Sequence, residues 1–197
     1  MDSLYLQSFA QIDAKGFRLN GKTLLPYHST DFLKKIYQQQ KLQYPKFHKM
    51  DTLCQMGLLA SEIILKEDNL IESIESHEIA LLFANAQSSL QSDQTHILNF
   101  SENQASPANF VYTLPNIVLG EICIRHKLYS ETNFYIFENF DIEKLLKQAT
   151  ILLSTTQHKM CLLGWIDSIE EKPNCHLFLL NKTGTVQATK KHLQALI

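Results

Sequence analysis

Ile79-Ala80-Leu81-Leu82-Phe83-Ala84 is the run on which the fold turns. Six apolar residues in succession, without the polar alternation of a half-exposed strand, describe a strand covered on both faces. Parallel sheets carry such strands because their crossover helices lie on either side. Asn85-Ala86-Gln87-Ser88-Ser89 then reads as a loop.

The flanking segments agree with that reading. Upstream, Met50 to Lys66 sets Leu53, Met56, Gly57, Ala60, Ile63 and Ile64 on one broad stripe, with Asp51 placed to cap the start, which predicts a largely buried helix. Downstream, a helix starts after Pro115 and carries Ile117, Val118, Gly120, Glu121, Ile122 and Ile124. Gly120 costs that helix stability, so its presence predicts close packing against another backbone. An aromatic strand follows, Phe134-Tyr135-Ile136-Phe137, and then a helix from Asp141 with Ile142, Leu145, Leu146 and Ala149 on a shared face. Met160 to Trp165 and His176 to Leu180 are two further strands. Near the start, Lys15-Gly16 and Asn20-Gly21 are turn signals that predict a β-ribbon. From Asp31, Phe32, Leu33, Ile36 and Tyr37 recur at helical spacing, with Ser29 or Thr30 available as N-cap. The order of elements is that of an alternating α/β protein with a single domain over residues 1–197.

Composition narrows the function. With 18 Lys and Arg against 20 Asp and Glu, the formal net charge of −2 offers no general attraction to nucleic acid or to an anionic membrane. No apolar run approaches the ~18 residues of a membrane span, and Met1 to Tyr5 has no signal-peptide pattern, so a cytoplasmic protein is expected. Cys54, Cys123, Cys161 and Cys175 form no CxxC pair and suit a reducing compartment. The eight histidines, at 28, 48, 77, 96, 126, 158, 176 and 192, show no metal-binding pattern. No metal and no cofactor are expected.

The stretch Ser106-Pro107-Ala108-Asn109-Phe110-Val111-Tyr112-Thr113-Leu114-Pro115-Asn116-Ile117-Val118-Leu119-Gly120, continuing to His126, resembles a segment of the β-ketoacyl-acyl-carrier-protein synthases of the thiolase-fold superfamily. There, an SP pair, apolar residues, a PN pair and a glycine lead into an apolar helix. Pro107, Pro115, Asn116 and Gly120 carry the match. Phe47-His48-Lys49-Met50-Asp51-Thr52-Leu53 resembles the family's entry into its first long helix. Glu131-Thr132-Asn133 falls at its Gly-Pro-Asn turn, and Met160 to Asp167 is similar to its apolar strand ending in a Gly-Gly-x-Glu turn. The resemblance covers about residues 45 to 170 and implies an N-terminal half-synthase: a three-layer α-β-α half of a thiolase-like fold with a mixed central sheet.

The departure from the pattern matters as much. In the synthases, the strand after Gly-Pro-Asn leads into a cysteine at a helix start, whose thiolate attacks an acyl thioester. Here Glu138-Asn139-Phe140-Asp141 occupies that place, and the former nucleophile position falls at Phe140, beside Asn139. Phenylalanine forms no thioester. The family's two catalytic histidines come from a second half that this chain ends too early to include. No catalytic residue is expected. The resemblance therefore implies a non-catalytic, chain-length-factor-type subunit assisting a full-length β-ketoacyl synthase in fatty acid, polyketide or aryl-polyene-type assembly. Acyl carrier protein is a further partner, and the oligomer would be a homodimer or a heterodimer. Phe134, Tyr135, Ile136 and Phe137 would form the strand at the dimer interface, against the plain alternative of a central core strand.

Other residues invite sharper readings. Cys123, with His126 nearby, could replace the nucleophile, although a core cysteine is the commoner case. Asp93, His96 and Ser88, Ser89 or Ser92 hold the residue types of a hydrolytic triad, against a polar loop. Lys34, Lys35, Lys41, Lys46 and Lys49 could meet an acidic carrier protein or form a solvated face. The alternatives to an accessory subunit are an acyl-thioester enzyme with a non-cysteine mechanism and a self-associating structural protein.

Overall fold

The computed structural model describes residues 3–28, 31–67, 70–102, 104, 106–169 and 172–197. Seven strands form one sheet: β1 (Tyr5–Asp13), β2 (Gly16–Leu19), β3 (Lys22–Leu25), β4 (Ile79–Asn85), β5 (Thr132–Ile136), β6 (Met160–Ile169) and β7 (Lys172–Asn181), in the order β3-β2-β1-β7-β6-β4-β5. β4 is parallel to both β5 and β6, and the remaining pairs are antiparallel, so the sheet is mixed. All of β4 is buried, as its unbroken apolar run requires.

The helices lie on the two faces. Ile79, Leu81 and Phe83 of β4 turn to one side, with α1 (Phe32–Gln39), α2 (Thr52–Lys66) and α6 (Ile117–His126). Ala80, Leu82 and Ala84 turn to the other, with α7 (Ile142–Thr155) and α8 (Lys190–Leu196). This period-2 division produces three layers. The short helices α3 (Leu70–Ser73) and α5 (Pro107–Phe110), and α4 (Leu90–Ser101), are the other α-helices among the described residues, with 3-10 turns at Pro45–Lys49 and Val111–Thr113.

Local chemistry accounts for the boundaries. Asn20 and Gly21 turn with φ of 50° and 80°, the left-handed pair that a two-residue hairpin demands. Asp51 caps α2 by accepting from the Cys54 N–H at 2.9 Å, and Asp141 caps α7 by accepting from Lys144 N–H at 3.1 Å. The N-cap of α1 is Asp31, while Ser29 and Thr30 lie outside the described residues.

Three expectations need correction. Gly120 is not at a close backbone approach: a Cβ built there meets nothing within 4 Å, and the residue faces outward on α6. The close approach belongs to Gly57 on α2, where a Cβ would run into Val118 Cγ2 and lie 3.0 Å from Ile166 Cδ1. Gly164 makes no turn. It lies mid-strand opposite Leu177, where a side chain would strike the His176 carbonyl, and β6 continues to Ile169 before returning as β7. The segment after Ser89 is not a polar loop throughout, since Leu90–Ser101 is helical.

Candidate functional site

The corner between β5 and α7 gathers the residues that the sequence singles out. Phe137 N–H donates to the Asn85 carbonyl at 2.9 Å, tying the end of β5 to the end of β4. Tyr135 and Phe137 stack with centroids 5.5 Å apart, and Lys144 Nζ lies 5.2 Å over the Phe137 ring. Glu138 and Asn139 are exposed, and half-buried Phe140 directly precedes the N-cap of α7.

Phe140 stacks on Trp165, with centroids 5.3 Å apart at 22°, and lies 6.3 Å from the His176 ring. Sequence reasoning names neither partner in this role. Trp165 opposes His176 across β6 and β7, and His176 opposes Gln11 across β7 and β1, so the three make a row across the sheet that no local pattern reveals. Gln11 Nε2 approaches His176 Nδ1 at 3.1 Å and also donates to the Leu196 carbonyl at 2.6 Å. His176 Nε2 lies 2.9 Å from Asn174 Oδ1. With Gln11 donating to Nδ1, the network assigns the neutral tautomer protonated on Nε2. Burial lowers the His176 pKa to about 4, against the attraction of Asp13. The ring is neutral at pH 7 and its nitrogens are engaged.

This corner can stack and exclude water, and among the described residues it sets no thiol or hydroxyl against a base. Cys161 and Cys175 are fully buried in the sheet, and burial pushes both thiols well up. Cys123 is half-buried against the core, and burial raises its thiol too. Its neighbour His126 faces elsewhere, with Nε2 3.3 Å from Glu62. Ser89 Oγ donates to the Thr113 carbonyl at 2.8 Å and lies 3.1 Å from the Asp93 carboxylate, and Ser92 Oγ donates to Asp51 at 2.7 Å. His96 lies against Phe110, with centroids 5.3 Å apart, so the triad types are near in sequence without its geometry. Among the described residues no three His, Cys, Asp or Glu side chains converge as metal ligands, and no helix is long and apolar enough to cross a membrane.

Pro107 opens α5, and Pro115 and Asn116 sit at the entry to α6, with Asn116 as its N-cap. That helix is pinned to α2 by charge. Arg125 donates to Glu62 through two nitrogens at 3.0 and 2.8 Å, Lys66 adds a contact at 3.0 Å, and the Glu62 side chain is buried. Burial alone would raise the Glu62 pKa, but the Arg125 and Lys66 hydrogen bonds and the neighbouring positive charges hold it at about 2. Lys46 reaches buried Glu121 at 2.7 Å, and Arg125 lies over the Tyr44 ring at 5.2 Å.

Beside this corner, β5 is an edge strand. Leu81 N–H donates to Glu131 and Phe137 N–H to Asn85, so odd-numbered residues here bond to β4. The parallel pattern therefore turns the backbone groups of Thr132, Phe134 and Ile136 to the open side. Ile136 on β5 is 51% exposed, and Ile151 on α7, which shares a groove with Asn133 and Tyr135, is 45% exposed, so apolar side chains flank the edge.

No family model matches the sequence, and no curated protein matches it significantly. Solved structures do match. The chain superposes with a TM-score of 0.62 and 14% identity on a chain in the complex of a ketosynthase (ApeO) with its chain length factor (ApeC) from Xenorhabdus doucetiae, covering 98% of this chain and 90% of that one. The ishigamide ketosynthase/chain length factor matches with a TM-score of 0.66 and 14% identity over 91% of this chain and 62% of that one. A β-ketoacyl synthase from Burkholderia phymatum matches with a TM-score of 0.60 and 10% identity over 99% of this chain and 61% of that one. This chain thus spans less than two thirds of the latter two and nearly all of the first. Its three layers and mixed sheet are those of a thiolase-like half, and the chain has the fold of the ketosynthases and chain length factors.

Proposed function

We propose that this chain is a non-catalytic ketosynthase-like subunit that pairs with an active β-ketoacyl synthase along β5 and assists chain assembly of the fatty acid, polyketide or aryl-polyene type. The observation that carries the reading is Phe140, whose ring stacks on Trp165 just before the N-cap of α7. That is where the resemblance puts the acyl-accepting cysteine. An aromatic ring there cannot accept an acyl group, so condensation falls to the partner. The open edge of β5 supports the pairing, because an unpaired row of N–H and C=O groups flanked by isoleucines invites a strand from another chain. The match to a chain only slightly longer than this one, in a structure of a ketosynthase with its chain length factor, supports the same reading. Lys35, Lys41 and Lys49 are exposed and could steer an acidic carrier protein, whereas Lys34 and Lys46 are engaged with Asp31 and Glu121.

The test is the light-scattering mass of the purified chain, alone and mixed with each purified full-length β-ketoacyl synthase of the same cell, coupled to a malonyl-dependent condensation assay. The expected result is a mixed complex whose activity is lost when this chain is removed. Ile136→Pro removes one outward donor while leaving the bonds to β4, and should abolish the complex with the fold retained. A homodimer that neither binds a synthase nor alters condensation would overturn the reading in favour of self-association.

A further inference from the structure

Helix α4 is amphipathic in the reverse sense. Its half-buried residues are Ser92, Asp93, His96 and Asn99, and no residue of the helix is fully buried. Its apolar residues turn outward, with Leu90 46%, Ile97 65%, Leu98 63% and Phe100 69% exposed. Across the α4–α5 junction, Phe110 is 60% exposed with its ring 5.3 Å from that of His96 on α4, and Leu114 is 55% exposed. Water-facing helices place these residue types the other way round.

The charge pattern identifies the kind of partner. Residues 86–120 contain only Asp93 and Glu102 as charged residues, and no Lys or Arg occurs between Lys66 and Arg125. A surface that docks to anionic membrane is ringed by cations, whereas the segment that forms this one supplies no Lys or Arg, and Lys49 from outside it lies on the polar side, beside Gln91, Ser92 and Asn109. Depletion of charge with retention of aromatics is the composition of a protein–protein interface core.

Area and position identify which protein. A specific interface engages roughly 20–30 residues a side, and β5 offers 5. A partner held along β5 therefore needs a second contact region. Helix α4 departs from the end of β4, and Asn85 at that end bonds to Phe137 at the end of β5, so both surfaces begin at one end of the sheet.

We propose that the outward face of α4 with the α5 turn, centred on Ile97, Leu98, Phe100 and Phe110, is the second contact surface for the synthase partner. This rests on the accessory-subunit reading. The test compares wild type with the double variant Ile97→Asp/Leu98→Asp, and separately with Phe110→Ser, for binding to the purified full-length synthase that forms the mixed complex. The substituted side chains are exposed, so circular dichroism and thermal midpoint should be unchanged, while the mixed complex should weaken by at least about tenfold. Binding within about twofold of wild type for both would overturn this surface and leave the accessory-subunit reading standing. Absence of any wild-type complex would overturn both. A wild-type homodimer that the double variant dissociates, with synthase binding unchanged, would reassign the face to a second copy of this chain.

Discussion

Two glycines on neighbouring helices have opposite roles, and only the structure distinguishes them. Gly57 brings α2 against Val118 of α6 and Ile166 of β6, whereas Gly120 looks onto open space. Gly57→Ala should therefore destabilise the protein by about 1–3 kcal/mol through overpacking, and Gly120→Ala should stabilise it by about 0.5–1 kcal/mol through helix propensity. Urea melts of the two variants check the assignment, and a loss of stability in both would mean that α6 packs differently on its outer side. Phe140 shows a similar limit. The resemblance puts Phe140 at the place of the synthase nucleophile, but its stacking on Trp165 depends on a strand distant in the chain.

At the scale of elements, α2 and α6 are joined by a buried carboxylate whose partners come from both helices. Arg125→Met removes the bidentate partner of Glu62 and leaves Lys66 and His126 beside a buried negative charge, which should cost about 3 kcal/mol. The double variant Glu62→Met/Arg125→Met should recover most of that loss, and a denaturation cycle over the four proteins measures the coupling. β4, α2, α6 and α7 were legible because the pattern of their apolar residues matches their burial. Helix α4 was not legible because its apolar residues point outward and its polar ones inward, so the usual rule assigns it no core-facing side. Only the resemblance points Phe134-Tyr135-Ile136-Phe137 toward an outer surface: its apolar pattern alone fits a core strand, and its edge position is set by pairing with β4, distant in sequence. Trp165, His176 and Gln11 come together only through the register of three strands, so that part of the candidate site had no signal in the sequence.

The whole molecule should be sensitive to acid in a defined window. His126 and His176 are both buried, on opposite sides of the sheet's core, and both pKa values are lowered to about 4. For His126 burial acts first, with Arg125 and Lys66 adding to it and Glu62 opposing. For His176 burial again leads, with Asp13 opposing and Arg18 and Lys15 adding. In the unfolded chain each imidazole binds a proton near its ordinary pKa of about 6.5, so between about pH 6.5 and 4 the unfolded state holds more protons than the folded one. Stability is then fully present above pH 6.5 and falls as the pH drops toward 4, by on the order of 3 kcal/mol for each histidine. Glu62 acts lower. Its folded pKa of about 2 lies below the ordinary carboxylate value, so its contribution is present above about pH 4.5 and is lost as the pH falls toward 2. Urea midpoints measured from pH 7.5 to 4 should therefore decline with a slope near two protons at its steepest. His126→Gln and His176→Gln should each remove about one proton from that slope, whatever they do to stability at pH 7.5. A slope unchanged by either substitution would mean that neither imidazole is held neutral by the fold, and that acid sensitivity arises among the carboxylates instead.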